Sequence, residues 1–327
     1  MIAIIFTGGT ISMRIDDAQG GAVPALSGRE IIAATRGIER VAAVELDEWG
    51  AFPGPHMTVE RMWALRGRIA THLARPDIEG VVVTHGTDSL EESAYLVARS
   101  LPADKPVVFT GAMRTASDLG WDGPANLIDA VRVAAAPESR GFGTTVVMGG
   151  RVFTGLDVTK AHTNHLDAFE SPGLGPVAVI DDGAVIYRRA LPPAPPLLSP
   201  QSLAAPVDIV YAWAGADSRL LDASFAGARG LVVAAMGRGN VPPEMVPGIS
   251  RWLDAGRPVV IASRAQRGRV GRTYAYEGGG RRLHALGTIL AGGRRPQQAR
   301  IELLLALGAG MDVPGIRALF EGRSLES

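Results

Sequence analysis

The sequence predicts an α/β protein of two domains: a larger N-terminal domain with a mostly parallel sheet and flanking helices, and a smaller C-terminal α/β domain. Three observations support this fold class. The 327 residues correspond to about two average domains. Short β-branched runs alternate with helical patterns, which is typical of βαβ units joined by right-handed crossovers. Residues 191–200 contain five prolines, which is typical of an extended linker. We therefore expect domains over 1–190 and 207–327, joined by a proline-rich linker over 191–206.

Five strands are predicted in the N-terminal domain, with helix-start signals between them. Ser27 with Glu30, and Ser89 with Glu92, both match the capping box that opens a helix. Asp122 stands where it can cap a further helix. The predicted strands are 2–6, 41–49, 80–84, 106–110 and 144–148, and the predicted helices start near 28, 58, 90 and 123.

The C-terminal domain repeats the alternation of strands and helices. Its strands are predicted at 207–213, 230–235 and 258–263, and its helices at 218–226 and 242–255. Pro296 suits the first turn of a last amphipathic helix that runs to Leu307.

Composition excludes several classes of function. Basic and acidic residues both number 33, so the net charge is zero, which argues against a nucleic-acid partner. The chain has no cysteine, which excludes disulfides, a thiolate nucleophile and a zinc finger. No signal-peptide pattern follows Met1, and no apolar stretch reaches the roughly 18 residues of a membrane helix. We therefore expect a cytoplasmic protein with no membrane or nucleic-acid partner.

Hydroxyl, carboxylate and amine side chains follow the predicted N-terminal strands. Ligands of open parallel sheets bind at the carboxyl ends of the strands, so residues at these positions are candidates for a site. Thr10 follows the first strand, and Thr87 and Asp88 follow the third. Lys160 is expected after the fifth. A threonine nucleophile, a neutral lysine as base and an aspartate that orients them suffice for nucleophilic acyl transfer.

Glycine is unusually frequent, at 41 of 327 residues, against roughly 7% in average proteins. No Gly-X-Y period accounts for this excess, so we expect the glycines at tight turns and close backbone approaches. Glycines beside the threonines would leave backbone N–H groups free to stabilise an oxyanion.

Two long motifs resemble the signatures of a known family. Ile-Phe-Thr-Gly-Gly-Thr-Ile at 5–11 and Val-Thr-His-Gly-Thr-Asp-Ser-Leu-Glu-Glu-Ser-Ala-Tyr at 83–95 are similar to the two signatures of the bacterial asparaginase/glutaminase family. Residues 108–114, 122–127 and 155–160 also resemble it, and the resemblance runs in order from residue 1 to about 308. It implies a two-domain α/β fold, hydrolysis of a small amide substrate without a cofactor, and a homodimer or homotetramer.

The resemblance assigns roles to single positions. Thr10 corresponds to the family's flap-side nucleophile. Thr87, Asp88 and Lys160 correspond to its second threonine, its substrate-binding acid and its base. Which threonine attacks first stays open. The expected substrate contacts are Gly9, Gly54, Pro55, Gly86, Thr87, Asp88 and Ala112, with Asn240 and Glu277 contributed by a neighbouring subunit.

Two departures from the family pattern keep alternatives open. The family commonly has a tyrosine in the flap, but residues 12–30 contain none. It usually has a serine for the substrate α-carboxylate where this chain has Gly54. The first hypothesis is therefore hydrolysis of L-asparagine. The second is the same chemistry on L-glutamine or another ω-amide, and the third is a non-catalytic amino-acid-binding protein on the same fold.

Two further histidine features are interpreted as structural. His162, His165 and Asp167 could suggest a metal cluster, but loop histidines without a third ligand at helical spacing are more often hydrogen-bonded surface groups. We therefore expect no metal. His85 is expected to position the turn before Thr87 rather than to titrate during catalysis.

Overall fold

The computed structural model describes residues 1–102, 104–191, 195–203 and 206–322. The chain divides into two compact units, Met1–Leu197 and Leu198–Ser327. The predicted linker over 191–206 includes residues 192–194 and 204–205, which lie outside the described residues. The domain bounds expected from the sequence therefore stay a prediction.

The first unit contains a large sheet and five α-helices among its described residues. Its strands are β1 Ile2–Gly8, β2 Met13–Asp16, β3 Gly21–Pro24, β4 Val44–Phe52, β5 Gly80–Thr84, β6 Val107–Thr110, β7 Thr144–Met148, β8 Arg151–Thr154, β9 Thr159–Lys160, β10 Phe169–Glu170, β11 Ala178–Asp181 and β12 Ala184–Tyr187. Its helices are α1 Gly28–Ala34, α2 Ile38–Val41, α3 Val59–Leu73, α4 Leu90–Ser100 and α5 Gly123–Ala135.

Eight of these strands form one mostly parallel sheet, in the order β12-β11-β8-β7-β6-β5-β1-β4. Strands β4, β1, β5, β6 and β7 are parallel, and β8, β11 and β12 extend the sheet in antiparallel fashion. Every residue of the central strands β1, β5 and β6 is buried, and β-branched side chains lie on both faces of these strands. The mostly parallel sheet predicted for the N-terminal domain is confirmed.

The crossovers differ from the expectation that all are right-handed. Helix α1 joins β1 to β4 in one direction along the sheet, and α5 joins β6 to β7 in the opposite direction. Both helices pack on the same face, in one core with Ile4, Val82 and Val108. Two crossovers on one face that run in opposite directions have opposite hands. The expectation of uniformly right-handed crossovers was therefore wrong.

Two predicted helix caps are used differently in the structure. Ser27 and Glu30 form the predicted capping box. Ser89 makes no side-chain cap, because its hydroxyl donates to the carbonyl of Gly54, 2.6 Å away. Asp122 also makes no side-chain cap to its own helix. The predicted strand at 41–49 was shifted as well, since residues 38–41 form α2 and the strand begins three residues later.

The second unit is a smaller α/β unit around a four-stranded parallel sheet. Its elements are β13 Val207–Tyr211, α6 Arg219–Phe225, β14 Gly230–Ala235, α7 Val246–Asp254, β15 Val259–Ser263, α8 Gly280–Leu286, β16 Ile289–Leu290, α9 Pro296–Gly308 and α10 Val313–Glu321. Its core packs around the fully buried Trp252. The three predicted strands and the helix that starts at Pro296 are confirmed, whereas α8, β16 and α10 were not predicted.

Within the described ranges, no helix combines the length and the apolar character needed to cross a lipid bilayer.

Candidate active site

Three glycines from three loops meet backbone to backbone at the carboxyl edge of the large sheet. A Cβ atom on Gly9 would lie 2.6 Å from the Cα of Gly86. One on Gly86 would lie 2.4 Å from the Cα of Gly54. No side chain fits at such distances, so part of the glycine excess serves this contact. The contact lies at the ends of the neighbouring strands β1 and β5. The chain continues from β1 towards β4 and from β5 towards β6, in opposite directions along the sheet. Open α/β sheets bind ligands at such switch points.

A lysine, a threonine and an aspartate meet beside this contact. The Nζ of Lys160 donates to the hydroxyl of Thr87 over 2.8 Å and to the carboxylate of Asp88 over 2.7 Å. The Thr87 side chain is buried, whereas the Asp88 side chain is 58% exposed and faces solvent. The arrangement offers an amine that can exchange a proton with a hydroxyl, next to a carboxylate that can bind a cation.

Lys160 does not reach this edge by following a parallel strand. Strand β8 is antiparallel to β7 and leads the chain back, so that the N–H of Gly155 donates to the carbonyl of Thr144 at the start of β7. The chain then returns beside α4, where the backbone N–H of Lys160 donates to the carboxylate of Glu91 over 2.7 Å. The expectation that Lys160 follows the fifth strand at its carboxyl end was therefore wrong in its path, although the lysine reaches the same edge.

Thr10 is the first residue of a short 3-10 turn that follows β1, and it is partly exposed. The hairpin β2–β3 begins directly after this turn, and the backbone N–H of Ile15 donates to the hydroxyl of Ser117. The N–H of Gly9 donates to the carbonyl of Phe52 over 2.9 Å. This N–H is therefore not the free oxyanion donor that the sequence suggested.

The remaining expected substrate contacts lie around the glycine contact. Gly54 is buried, and a Cβ atom there would lie 3.3 Å from the Cβ of Asp88, so the two loops pack tightly at this point. Pro55 is exposed beside it. Ala112 is fully buried in the core below the edge. Their roles in substrate binding stay predictions.

His85 is buried and holds the turn before Thr87. Its Nδ1 donates to the carbonyl of Gly86 over 2.8 Å, and its Nε2 accepts from the hydroxyl of Ser93 over 2.8 Å. Burial lowers the pKa of His85 to about 4, and the hydrogen bond to the Gly86 carbonyl opposes that shift without cancelling it. The side chain is therefore neutral at pH 7, which agrees with the expected positioning role.

Sequence reasoning missed four residues that hold these loops. Ser89 ties Gly54 to the start of α4, and Glu91 ties Lys160 to its first turn. The carboxylate of Asp122 accepts from the backbone N–H groups of residues 113 and 114. Asn126 donates to the carbonyl of Gly111 and accepts from the N–H of residue 149, so it joins the ends of β6 and β7. Two of the four, Ser89 and Asp122, stand at the N-cap of a helix, where a capping interpretation concealed their other use.

The two residues assigned to a neighbouring subunit lie in the second unit. The side-chain oxygen of Asn240 accepts from the N–H of Gly280 over 3.2 Å, which fixes the loop after β14. Glu277 is exposed in the turn before α8. Their contribution to a shared site stays a prediction.

The histidine pair after Lys160 forms a turn. The rings of His162 and His165 stack with centroids 3.6 Å apart, and the Nδ1 of His162 accepts from the N–H groups of Asn164 and His165. Within the described part of the chain, no group of three or more His, Cys, Asp or Glu side chains could hold a metal ion.

The protein therefore has two α/β units, and the first unit carries an amine, a hydroxyl and a carboxylate in contact at the switch point of its large sheet. Residues 1–193 match the family described as "Asparaginase, N-terminal", and residues 206–320 match the "Glutaminase/Asparaginase C-terminal domain". The chain belongs to the asparaginase family and is an amidohydrolase.

Individual relatives match along nearly the whole chain. A "Probable L-asparaginase" of Deinococcus radiodurans is 39% identical over 322 residues, which cover 98% of this chain and 96% of that protein. An "L-asparaginase" of Bacillus licheniformis is 34% identical and covers 94% of this chain and 95% of its own. The crystal structure of a "Probable Cytoplasmic L-asparaginase" from Campylobacter jejuni matches with a TM-score of 0.86, 31% identity and 98% of both chains covered.

Proposed function

We propose that this enzyme hydrolyses L-asparagine to L-aspartate and ammonia through a threonyl ester. The observation that carries the proposal is the contact of Lys160 Nζ with both the Thr87 hydroxyl and the Asp88 carboxylate. The names of the relatives from Deinococcus radiodurans and Bacillus licheniformis support L-asparagine as the substrate.

The proposed reaction has two steps. In the first, the Thr10 hydroxyl oxygen attacks the carbon of the side-chain amide, the C–N bond breaks, and the nitrogen leaves as ammonia after taking up the hydroxyl proton. In the second, water attacks the resulting ester, and the Lys160 amine accepts a proton from it through the Thr87 hydroxyl. The C–O bond then breaks, Thr10 recovers its proton, and L-aspartate leaves.

Substrate recognition is proposed to depend on charge. The exposed Asp88 carboxylate binds the α-ammonium group of the amino acid. Gly54 supplies only a backbone N–H for the α-carboxylate, and this favours a broader substrate range that includes L-glutamine as a second candidate. We propose a cytoplasmic homodimer or homotetramer in which Asn240 and Glu277 of a neighbouring subunit complete the site, and no cofactor takes part.

The test is ammonia release from L-Asn, D-Asn, L-Gln and simple amides by the wild type and by paired variants. Thr10→Val and Thr87→Val remove a hydroxyl and keep the shape, whereas Thr10→Ser and Thr87→Ser keep a hydroxyl. We expect roughly 10³-fold or greater loss of kcat in each valine variant and substantial activity in each serine variant. Thr71→Val, on an exposed face of α3, is the control and should keep wild-type activity.

The intermediate distinguishes the two threonines. If Thr10 forms the ester and Thr87 serves its hydrolysis, Thr87→Val should accumulate protein carrying one aspartyl group, and Thr10→Val should not, as seen by intact mass spectrometry. Full activity in both valine variants would exclude the assigned roles, and no turnover of any amide by the wild type would exclude the proposed reaction. Light scattering of the purified protein measures the oligomeric state.

A further inference from the structure

The strand that carries Lys160 lies outside the large sheet. Strands β9 and β10 have two residues each and pair with one another. Among the described strands, they form a two-stranded sheet of their own. The N–H of Ala161 donates to the carbonyl of Ala168, which closes the hairpin on itself. Hydrogen bonds of the eight-stranded sheet therefore do not set the position of Lys160 relative to the carboxyl edge.

One carboxylate connects this hairpin to the edge. Glu91 lies in the first turn of α4 and is only 8% exposed, and its Oε2 accepts from the backbone N–H of Lys160 over 2.7 Å. Burying a carboxylate without a partner destabilises the folded state, so the hydrogen bond from Lys160 is a structural contact of the buried Glu91 side chain. A hydrogen bond to a charged acceptor is also stronger than one between neutral groups.

A single five-residue segment makes all of these contacts to Lys160. Thr87 and Asp88 receive the side-chain amine, and Glu91 receives the main-chain N–H. Glu91 belongs to the same short segment as Thr87 and Asp88. By holding the backbone of Lys160, it therefore fixes the distance from that backbone to the two side chains that Nζ contacts. Displacing a catalytic group by about 1 Å can lower the rate of catalysis roughly 10²-fold.

We infer that Glu91 is a positioning residue: it holds the Lys160 main chain so that Nζ meets the Thr87 hydroxyl. It touches no reacting atom and acts through Lys160. The inference rests on the proposed function, because it assumes that Lys160 is the base.

The experiment compares four variants in steady-state kinetics with L-asparagine. Glu91→Gln keeps an acceptor oxygen at the same reach, Glu91→Met removes it at similar volume, and Glu91→Asp withdraws it by one methylene. Leu96→Val changes a fully buried residue of the same helix and is the control for lost stability. Thermal melting of each variant confirms that it is folded at the assay temperature.

We expect Glu91→Met to lower kcat roughly 10²-fold with KM changed less than about threefold, since Asp88 still binds the substrate. Glu91→Gln should recover most of that loss, and Glu91→Asp should resemble Glu91→Met, which also covers the case that the methionine variant does not fold. The inference is overturned if Glu91→Gln is as impaired as Glu91→Met, or if Glu91→Met and Glu91→Asp lose no more kcat than Leu96→Val. Wild-type activity in Thr87→Val would instead overturn the proposed function, so the two failures are distinguishable.

Discussion

The carboxyl edges of the two parallel sheets are held together in different ways. At the edge of the eight-stranded sheet, glycines of three loops touch backbone to backbone, and side chains tie the surrounding loops. At the edge of the four-stranded sheet, Ser263 donates to the carbonyl of Gly237 and Asn240 accepts from Gly280, while Tyr274 and Tyr276 are exposed. The contact of amine, hydroxyl and carboxylate described above belongs to the first edge.

This difference shows that a parallel sheet provides a location and the loops provide the chemistry. Both sheets follow the same strand–helix rhythm, yet the first edge receives Lys160 from a hairpin outside its sheet. The glycine contact holds together the loops after β1, β4 and β5, and the β5–α4 turn carries both Gly86 and the residues that Lys160 meets. Substitutions that open the contact should therefore cost activity, whereas similar substitutions at the second edge should mainly cost stability.

Gly86→Ala is expected to have the largest effect. The added Cβ would lie 2.4 Å from the Gly54 backbone, which cannot move aside as a flexible side chain could. We expect at least 10²-fold lower kcat/KM and a loss of about 2 kcal/mol in the free energy of unfolding. The measurements are ammonia release and urea unfolding.

Gly67→Ala is the matched control for this substitution. Gly67 lies inside α3, is exposed, and has no atom within 4 Å of an added Cβ. We expect unchanged activity and a gain of about 0.5–1 kcal/mol, because alanine is the better helix former. Wild-type activity in Gly86→Ala would contradict the role given to the glycine contact.

The buried histidine of the first edge should make folding stability depend on pH. Because the pKa of His85 is about 4 in the folded protein, the unfolded chain binds more protons than the folded one between that value and roughly 6.5. Stability contributed by neutral His85 is therefore complete above this window and decreases as the pH falls through it, by roughly 3 kcal/mol in all. Urea unfolding from pH 7 to pH 4 measures this slope.

His85→Asn should flatten the slope, since asparagine does not titrate. The comparison uses the change with pH rather than the absolute stability, because the variant also loses the contact with Ser93. His56→Asn, at an exposed position of the neighbouring loop, should keep the wild-type slope. An unchanged slope in His85→Asn would assign the pH dependence to other groups.

Much of the first unit could be predicted from local sequence signals. The buried strands are continuous apolar runs, and the set of Thr87, Asp88 and Lys160 lies within motifs that resemble a family. The path of Lys160 was missed although a signal was present: Gly149 and Gly150 both have positive φ, and a two-glycine turn between β-branched runs is typical of a hairpin.

Other features could not be predicted because they depend on distant residues. Ser89 fits a capping box by spacing alone, but its hydroxyl instead bonds Gly54, 35 positions away in the sequence. Asp122 likewise serves the loop after β6. The α1 and α5 crossovers have opposite hands because two helices on one face connect strands in opposite directions along the sheet, and no local pattern records that strand order.

At the second edge, Gly278→Ala tests the expectation of a stability effect. Gly278 has φ +78°, and an added Cβ would lie 2.1 Å from the carbonyl oxygen of Val241. Gly256 has φ +69° but open space around it, so Gly256→Ala carries the backbone strain alone. We expect Gly278→Ala to be about 2 kcal/mol less stable than Gly256→Ala in urea unfolding. Equal stability of the two variants would mean that the loop after β14 can shift to accommodate the added Cβ at little cost in free energy, contrary to this expectation.

The smallest effect is expected away from both edges, on the α3 side of β4. The buried carboxylate of Asp47 accepts from Arg68 and from the Nε2 of His72, 2.7 Å away. Burial alone would raise the pKa of Asp47, but the hydrogen bonds from Arg68 and His72 outweigh it and lower the pKa below 3.8. A depressed folded-state pKa gives stability that is present above that value and is lost as the pH falls through the folded-state pKa.

Asp47→Asn removes this contribution and leaves the site untouched. We expect a loss of about 1.5 kcal/mol at pH 7, measured by urea unfolding, and a difference from the wild type that becomes smaller as the pH falls towards the lowered pKa of the Asp47 carboxyl. Ammonia release should be unchanged at pH 7. Asp77→Asn, which removes a half-exposed partner of Arg75, is the control and should change stability much less, because exposed ion pairs are screened by water. A difference between Asp47→Asn and the wild type that stays constant from pH 7 to pH 3 would show that shape, and not charge, accounts for the loss.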